Sequence, residues 1–390
     1  MIAAIRLRKT PRCTAVARPL YPKWVMRQPN AADRLHESIL RRRSALDTNI
    51  IPTFACPQGR GFALIEELAV NMPLASPADR GGTCDHGLLL LDEVQNLFAS
   101  HSATFAMGQL RSGLHQLKRR LNSFEWGMFK MAWRHHPVAR IVHQDPFTSW
   151  SYRKVRGYPG DARLLDFIYG AASVANHIAQ ASVVGREIHA FSTQTAAAVA
   201  LRERRDILAS LVDQVADARQ KPISVLSIAC SRLREAENSR ALAESKIERW
   251  LALDQDAKNI AHIRKQFNAT AIEPFGGSIP GLLSDQYRLG SFDLIYAGGL
   301  YDYLASGIAV RLTDLMFSML KPGGTLLFAN FAKNVPDDGY METFMDWQLR
   351  FRDETELEEL WSTLPDCDVA ARQTFRGANG NVIYAKVSKN

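Results

Sequence analysis

The chain has 390 residues, 46% of them hydrophobic, 23% charged and 9% aromatic. That length suggests two domains with real apolar cores, and the composition excludes a disordered, collagen-like or coiled-coil protein. The formal charge of +8 suggests a nucleic-acid binder only until it is located: residues 1–32 hold Arg6, Arg8, Lys9, Arg12, Arg18, Lys23 and Arg27 with no acid before Asp33, so the other 358 residues carry +1.

The basic balance therefore belongs to a tail, and nucleic acid recedes as a substrate. An Arg-rich, acid-poor terminus fits a targeting peptide, a basic arm or a leader before a later start; the expectation for 1–32 is a poorly ordered segment outside the chemistry. No window holds 18 uninterrupted apolar residues, so no membrane span is expected. Cys13, Cys56, Cys84, Cys230 and Cys367 are odd in number and scattered, without a C-x-x-C pair. Neither a disulfide framework nor a structural zinc site is indicated, and a reducing cytoplasm is the expected location.

Residues 33–80 are broken by turn formers (Pro52, Pro57-Gln58-Gly59, Pro73, Pro77). From Leu88 the apolar spacing turns helical: Leu88, Leu91, Val94, Leu97 and Phe98, then Leu110, Leu114, Leu117 and Leu121. Phe124, Trp126, Met128, Phe129, Met131 and Trp133 read as helix-packing core, and His135-His136 before Pro137 as a polar helix end. Further helical runs are expected over 164–179 and 186–217. Residues 33–220 are thus expected to form a helical N-terminal domain.

The pattern changes at Ile223. Val225-Leu226-Ser227-Ile228-Ala229 is a short apolar run suited to a buried strand, and Arg249–Leu253, Ala271-Ile272, Phe292–Tyr296, Thr325–Phe331 and Val382–Val387 follow. Helical patterns at Asp256–Phe267, Ile308–Leu320 and Glu354–Leu364 fill the gaps. Such alternation predicts a mostly parallel sheet flanked by helices over 221–390, with ligands beyond the C-terminal strand ends. The first strand leads into Cys230-Ser231-Arg232-Leu233-Arg234-Glu235. Asp254 ends the second, where a carboxylate is placed to take ribose hydroxyls; the alternative is a cap on the helix from Ala257. The fourth leads into Ala297-Gly298-Gly299-Leu300-Tyr301-Asp302-Tyr303-Leu304, whose glycines let backbone approach a ligand. Cys230 closes a buried strand and reads as inert core.

Those strand ends, with Leu320-Lys321-Pro322-Gly323-Gly324 before the fifth strand, resemble class I S-adenosylmethionine-dependent methyltransferases. The segments VLSIAC, WLALDQD, FDLIYAGGLYDYL and LKPGGTLLFANF stand in the family's order. Asp145-Pro146-Phe147, the RGYPGDA run Arg156–Ala162, Met341-Glu342, Asp346-Trp347-Gln348-Leu349 and Arg350-Phe351-Arg352 resemble a narrower bacterial subgroup. It is associated with 3-hydroxypalmitic acid methyl ester, with azetidine-2-carboxylate synthases nearby. The resemblance implies an α/β, Rossmann-like class I methyltransferase fold with a helical N-terminal domain. It implies S-adenosylmethionine as methyl donor, or as substrate of a cyclase, and a small-molecule partner in bacterial signalling or secondary metabolism. The number of subunits is left open.

The expected cofactor-binding set is Arg156, Ala229, Ser231, Glu235, Asp254, Gly298, Gly299, Leu300 and Asp302; the expected catalytic set is Asp161, Tyr158, Tyr169 and Tyr303. RGYPGDA is expected as a lid over the methionine end, with Arg156 on its carboxylate, Asp161 on its ammonium and the Tyr158 ring against the sulfonium. The alternative is a turn with Asp161 capping the helix from Ala162. Glu342, Asp346 and Trp347 are expected near an acceptor. One departure stands out: Ser231 occupies the family's first glycine position, and Leu233 one that is often small. A tolerated change, a repositioned cofactor serving different chemistry and lost cofactor binding are the three readings it opens.

Overall fold

The computed structural model describes residues 83–390. The basic tail expected over 1–32, the stretch 33–80, and Cys13 and Cys56 lie outside the described residues.

Helices come first. α1 (Thr83–Ser100) and α2 (Ala103–Arg120) are the pair that the leucine spacing predicts, and Leu91, Val94, Leu110, Leu114 and Leu117 make their buried face. In α3 (Ser123–Ala132) the aromatic stretch divides. Trp126 and Phe129, with Trp133 just beyond, are buried, but Phe124 and Met131 are exposed, because only residues three or four apart share a helix face. His136 accepts the Val138 N–H and pairs with Asp92, the polar helix end expected.

α4 (Val138–Val142), α5 (Pro146–Arg153), α6 (Ala162–Tyr169) and α7 (Ala175–Ala179) follow. The helix expected over 164–179 is interrupted, since Gly170 takes φ 65° and ends α6. The run expected over 186–217 is also two helices, α8 (Val183–Ser192) and α9 (Ala196–Asp217). Thr193 and Thr195 between them hydrogen-bond back to the His189 and Ser192 carbonyls, which competes with helix continuation.

The sheet region runs β1 (Ile223–Ile228), α10 (Arg240–Ala243), β2 (Ile247–Asp254), α11 (Ala257–Gln266), β3 (Ile272–Gly276), α12 (Ile279–Leu283), β4 (Phe292–Ala297), α13 (Ser306–Ser318), β5 (Leu320–Phe331), α14 (Asp338–Phe344), α15 (Glu354–Glu358), β6 (Val369–Arg376) and β7 (Val382–Lys389). The strand order is β3-β2-β1-β4-β5-β7-β6. β1 to β5 are parallel, and β7 runs antiparallel to both its neighbours. Sequence patterning misses β6, an edge strand that exposes Ala370 to Gln373 and so shows no buried alternation.

Both faces of the sheet are covered. On one, Val225, Leu294, Tyr296 and Leu327 pack with Leu201, Leu208 and Leu211 of α9; on the other, Leu226, Ile295 and Phe328 pack with Leu312 and Met316 of α13. Each such buried side chain contributes about 1.5–3 kcal/mol. Chain order reverses between β1 and β4, which makes their C-terminal ends the place for a ligand.

Candidate functional site

The turn after β1 holds its shape without glycine. Ala229, Ser231 and Leu233 all lie in the left-handed region, at φ 53°, 58° and 52°, where an L-residue is strained by about 1–2 kcal/mol. Surrounding contacts over-determine the turn. Ser231 N–H donates to Asp254 Oδ2 at 2.7 Å, Cys230 N–H to the Leu253 carbonyl at 3.1 Å, and the Leu233 side chain is fully buried. Arg232 and Arg234 of the turn both pair with Asp166 of α6, which is fully buried and also accepts Ser173 Oγ. Cys230 is buried with its thiol pKa pushed up by desolvation, as expected of inert core.

Asp254 does not cap α11. That role falls to Asp256, whose side chain accepts the Lys258 N–H. The Asp254 carboxylate instead accepts from Ser231 on Oδ2, and from Asp256 N–H at 2.8 Å and Asn259 Nδ2 at 3.3 Å on Oδ1. Burial raises its pKa against these donors.

The RGYPGDA segment meets this end of the sheet. Arg156 donates to Asn259 Oδ1 at 2.9 Å and pairs with Asp256 at 3.3 Å. Its guanidinium is thus engaged beside the second-strand acid, through Asn259 and Asp256. Tyr158 lies in the field of Asp254 and Asp256, and burial drives its pKa up. Asp161 realises the cap: its Oδ1 accepts the Arg163 and Leu164 N–H groups at 2.7 and 2.9 Å, and Trp150 Nε1 reaches both oxygens. At the other edge Gly160, at φ 73°, is so close to Tyr303 and Trp347 that a Cβ would stand 2.5 Å from the Tyr303 hydroxyl. Trp347 Nε1 donates to that hydroxyl at 2.8 Å, and Lys154 pairs with Asp346. The segment is a strap from the end of β2 to the stretch after β5.

At the tip of β4, Gly298 and Gly299 face α9. Arg204 of α9 lies there: a Cβ on Gly299 would stand 3.1 Å from both terminal guanidinium nitrogens, and one on Gly298 would stand 2.8 Å from Leu208 Cδ1. The absent side chains make room for α9. Leu300 is half-buried beside them. Asp302 is buried, accepts the Phe331 N–H at 2.7 Å on Oδ1, and has its pKa pushed up to about 6 by desolvation. Its Oδ2 stands 4.0 Å from Arg204. Glu235 is buried and accepts the Tyr296 hydroxyl at 2.6 Å, its pKa raised by burial. Tyr169 lies beside Arg204 with Arg205 over its ring, and burial raises its pKa. Glu342 is engaged by Trp126, Lys118 and Lys130.

Five parallel strands, the reversal between β1 and β4, and one antiparallel strand between β5 and β6 decide the architecture. This is the Rossmann-like class I methyltransferase fold. No protein-family model matches the chain, and no curated protein matches its sequence. Solved structures similar to it include a possible exported protein from Bordetella parapertussis (11% identity over 81% of this chain and 99% of that one, TM-score 0.48). Another is the N-methyltransferase NodS from Bradyrhizobium japonicum WM9 with S-adenosyl-l-homocysteine (20%, 48% and 87%, TM-score 0.35). A third is the magnesium protoporphyrin IX methyltransferase ChlM from Synechocystis PCC 6803 with bound SAM (11%, 59% and 97%, TM-score 0.36).

Within this methyltransferase fold the sequence reading missed Arg204 and Asp166. A signal existed for both. Arg204 interrupts the stripe Ala197, Leu201, Leu208, Leu211 at helical spacing, and Asp166 stands among Leu164, Leu165, Phe167 and Ile168. A charge on an apolar helix face needs a buried partner.

Proposed function

We infer that the protein is an S-adenosylmethionine-dependent enzyme that transfers a methyl group to a small molecule through a carboxylate, hydroxyl or amine of that acceptor. The observation that carries this reading is Asp254: a buried carboxylate at the C-terminal end of β2, tied to the turn after β1 at the point where the sheet reverses.

The residues fit such a ligand. An ionised carboxylate offers about four acceptor sites; Oδ1 of Asp254 has two donors and Oδ2 has one from Ser231, so Oδ2 is the place for a sugar hydroxyl. When bound, the sulfonium supplies an activated methyl group with its own leaving group. The protein's part is to align the reactants and keep water out. Tyr158 and the strap cover the sugar side, while Gly160, Tyr303 and Trp347 close the opposite edge. Tyr169 stands with Arg204 at the tip of β4. Asp302 Oδ2, with a pKa near 6, is suited to take a proton from a hydroxyl or ammonium acceptor; a carboxylate acceptor needs no base.

A second reading keeps the ligand and changes the reaction: the ligand's own α-amine, after losing its proton, attacks the γ-carbon as the carbon–sulfur bond breaks, giving azetidine-2-carboxylate and methylthioadenosine. Its support is the turn after β1, where Ser231 stands in the left-handed conformation that favours glycine.

Calorimetry with S-adenosylmethionine tests the shared part: Asp254→Ala is expected to weaken binding by about tenfold or more, and binding unchanged within about twofold overturns it. Mass spectrometry separates the reactions. S-adenosylhomocysteine formed only with added acceptor means methyl transfer, and methylthioadenosine formed from S-adenosylmethionine alone means cyclisation.

A further inference from the structure

We propose that Arg352 is a positioning residue that fixes the Asp302 carboxylate as the proton acceptor of the site. Arg352 is 4% exposed, and neutral oxygens hold its guanidinium. Nη1 donates to the Tyr301 carbonyl at 2.8 Å and to Asn330 Oδ1 at 2.5 Å, and Nη2 donates to the Leu304 carbonyl at 2.6 Å. Those two carbonyls flank Asp302 in the turn after β4, so one side chain grips the turn on both sides of the acid. The backbone repeats the connection. Arg350 N–H donates to the Asp302 carbonyl at 2.7 Å. The Phe331 peptide bridges the pair: its N–H donates to Asp302 Oδ1 at 2.7 Å, and its carbonyl accepts the Arg352 N–H at 3.1 Å. With Oδ1 tied to the end of β5, Oδ2 is the oxygen left for a proton.

The charges agree with these contacts. A buried cation among neutral oxygens needs a counter-charge, and Asp302 acts on Arg352 ahead of Glu356 of α15. In return, the cations facing Asp302 are Arg204 of α9 and Arg352, which hold its carboxyl down against burial. Tyr384 of β7 adds a phenol that burial keeps neutral. Arg204 stands 4.0 Å from Oδ2 and belongs to a separate helix, whereas Arg352 is bonded to the turn itself. The use of this acid as a base rests on the methyl-transfer reading above; its attachment to Arg352 does not.

Carboxyl-carbon NMR of the unliganded full chain follows Asp302, with Asp302→Asn identifying its signal. The wild-type midpoint is expected at about 6. Arg352→Gln removes the charge and is expected to raise that midpoint by about one pH unit. Arg352→Lys keeps the charge and should restore at least about half of the shift, a rescue that lost packing alone would not give. A midpoint in Arg352→Gln within about 0.2 of wild type overturns the proposal, as does an equal shift in both variants. Should neither variant fold, wild type decides. The Arg352 guanidinium resonances are expected to move with the Asp302 midpoint, and resonances that stay fixed through it overturn the coupling. Calorimetry with S-adenosylhomocysteine runs alongside. No binding by wild type sinks the adenosyl reading and leaves the Asp302 result to stand; binding with no Arg352 effect on the midpoint sinks the positioning role alone.

Discussion

The turn after β1 and the loop after β4 use glycine in opposite ways. The turn needs three left-handed residues and has alanine, serine and leucine; the loop has two glycines, and neither takes a positive φ. In the turn, strain is accepted because buried contacts hold it: Asp166 on both arginines and Asp254 on the Ser231 amide. In the loop the glycines provide space, and α9 fills it with Arg204 and Leu208. A glycine at a strand end therefore does not by itself indicate that a ligand needs the room.

The sharpest way to break this contrast is to remove what holds the turn. Asp166→Ala leaves two partly buried guanidinium groups without their shared partner and is expected to cost about 3–5 kcal/mol. A thermal unfolding midpoint equal to wild type would show that the strained backbone stands unaided. Gly298→Ala tests the loop: its Cβ would meet Leu208 at 2.8 Å, an overpacking worth about 1–3 kcal/mol. Unchanged stability and binding there would mean that α9 yields and the space is not needed.

The loop also carries a pH signature. Asp302 titrates at about 6 against an ordinary 3.8, so between these values the folded state binds more protons than the unfolded chain. Its contribution is full below pH 3.8 and is lost as pH rises through 6, at a slope of at most about 1.4 kcal/mol per pH unit. Relative to Asp302→Asn, wild type should lose stability between pH 4.5 and 6.5 (about two units of this window); parallel denaturation curves across it would remove the burial argument. The smallest effect belongs to Ser231→Gly, which relieves φ 58° and should stabilise by about 1 kcal/mol after the entropic cost of glycine. A lower midpoint for that variant would place the strain elsewhere.

Much of this was legible in the chain. The alternation from Ile223 predicts the parallel sheet, because strands buried on both faces must be continuously apolar. Asp254 and the glycines announce themselves at strand ends. Gly170 and the threonines around Gln194 split two helices that periodicity alone joins. β6 was not legible, since an exposed edge strand carries no apolar pattern.

The sequence alone determined the order of elements, their apolar faces and the acid at the second strand, because local spacing and burial dictate these. Tertiary structure decided the partners: Arg156 at Asp256, Asp161 as a cap and Arg204 over Gly299. Arg204 and Gly299 lie 95 residues apart in sequence. Only the packing of α9 across the sheet sets that guanidinium at the tip of β4, and no spacing rule along a chain encodes a contact made at that range.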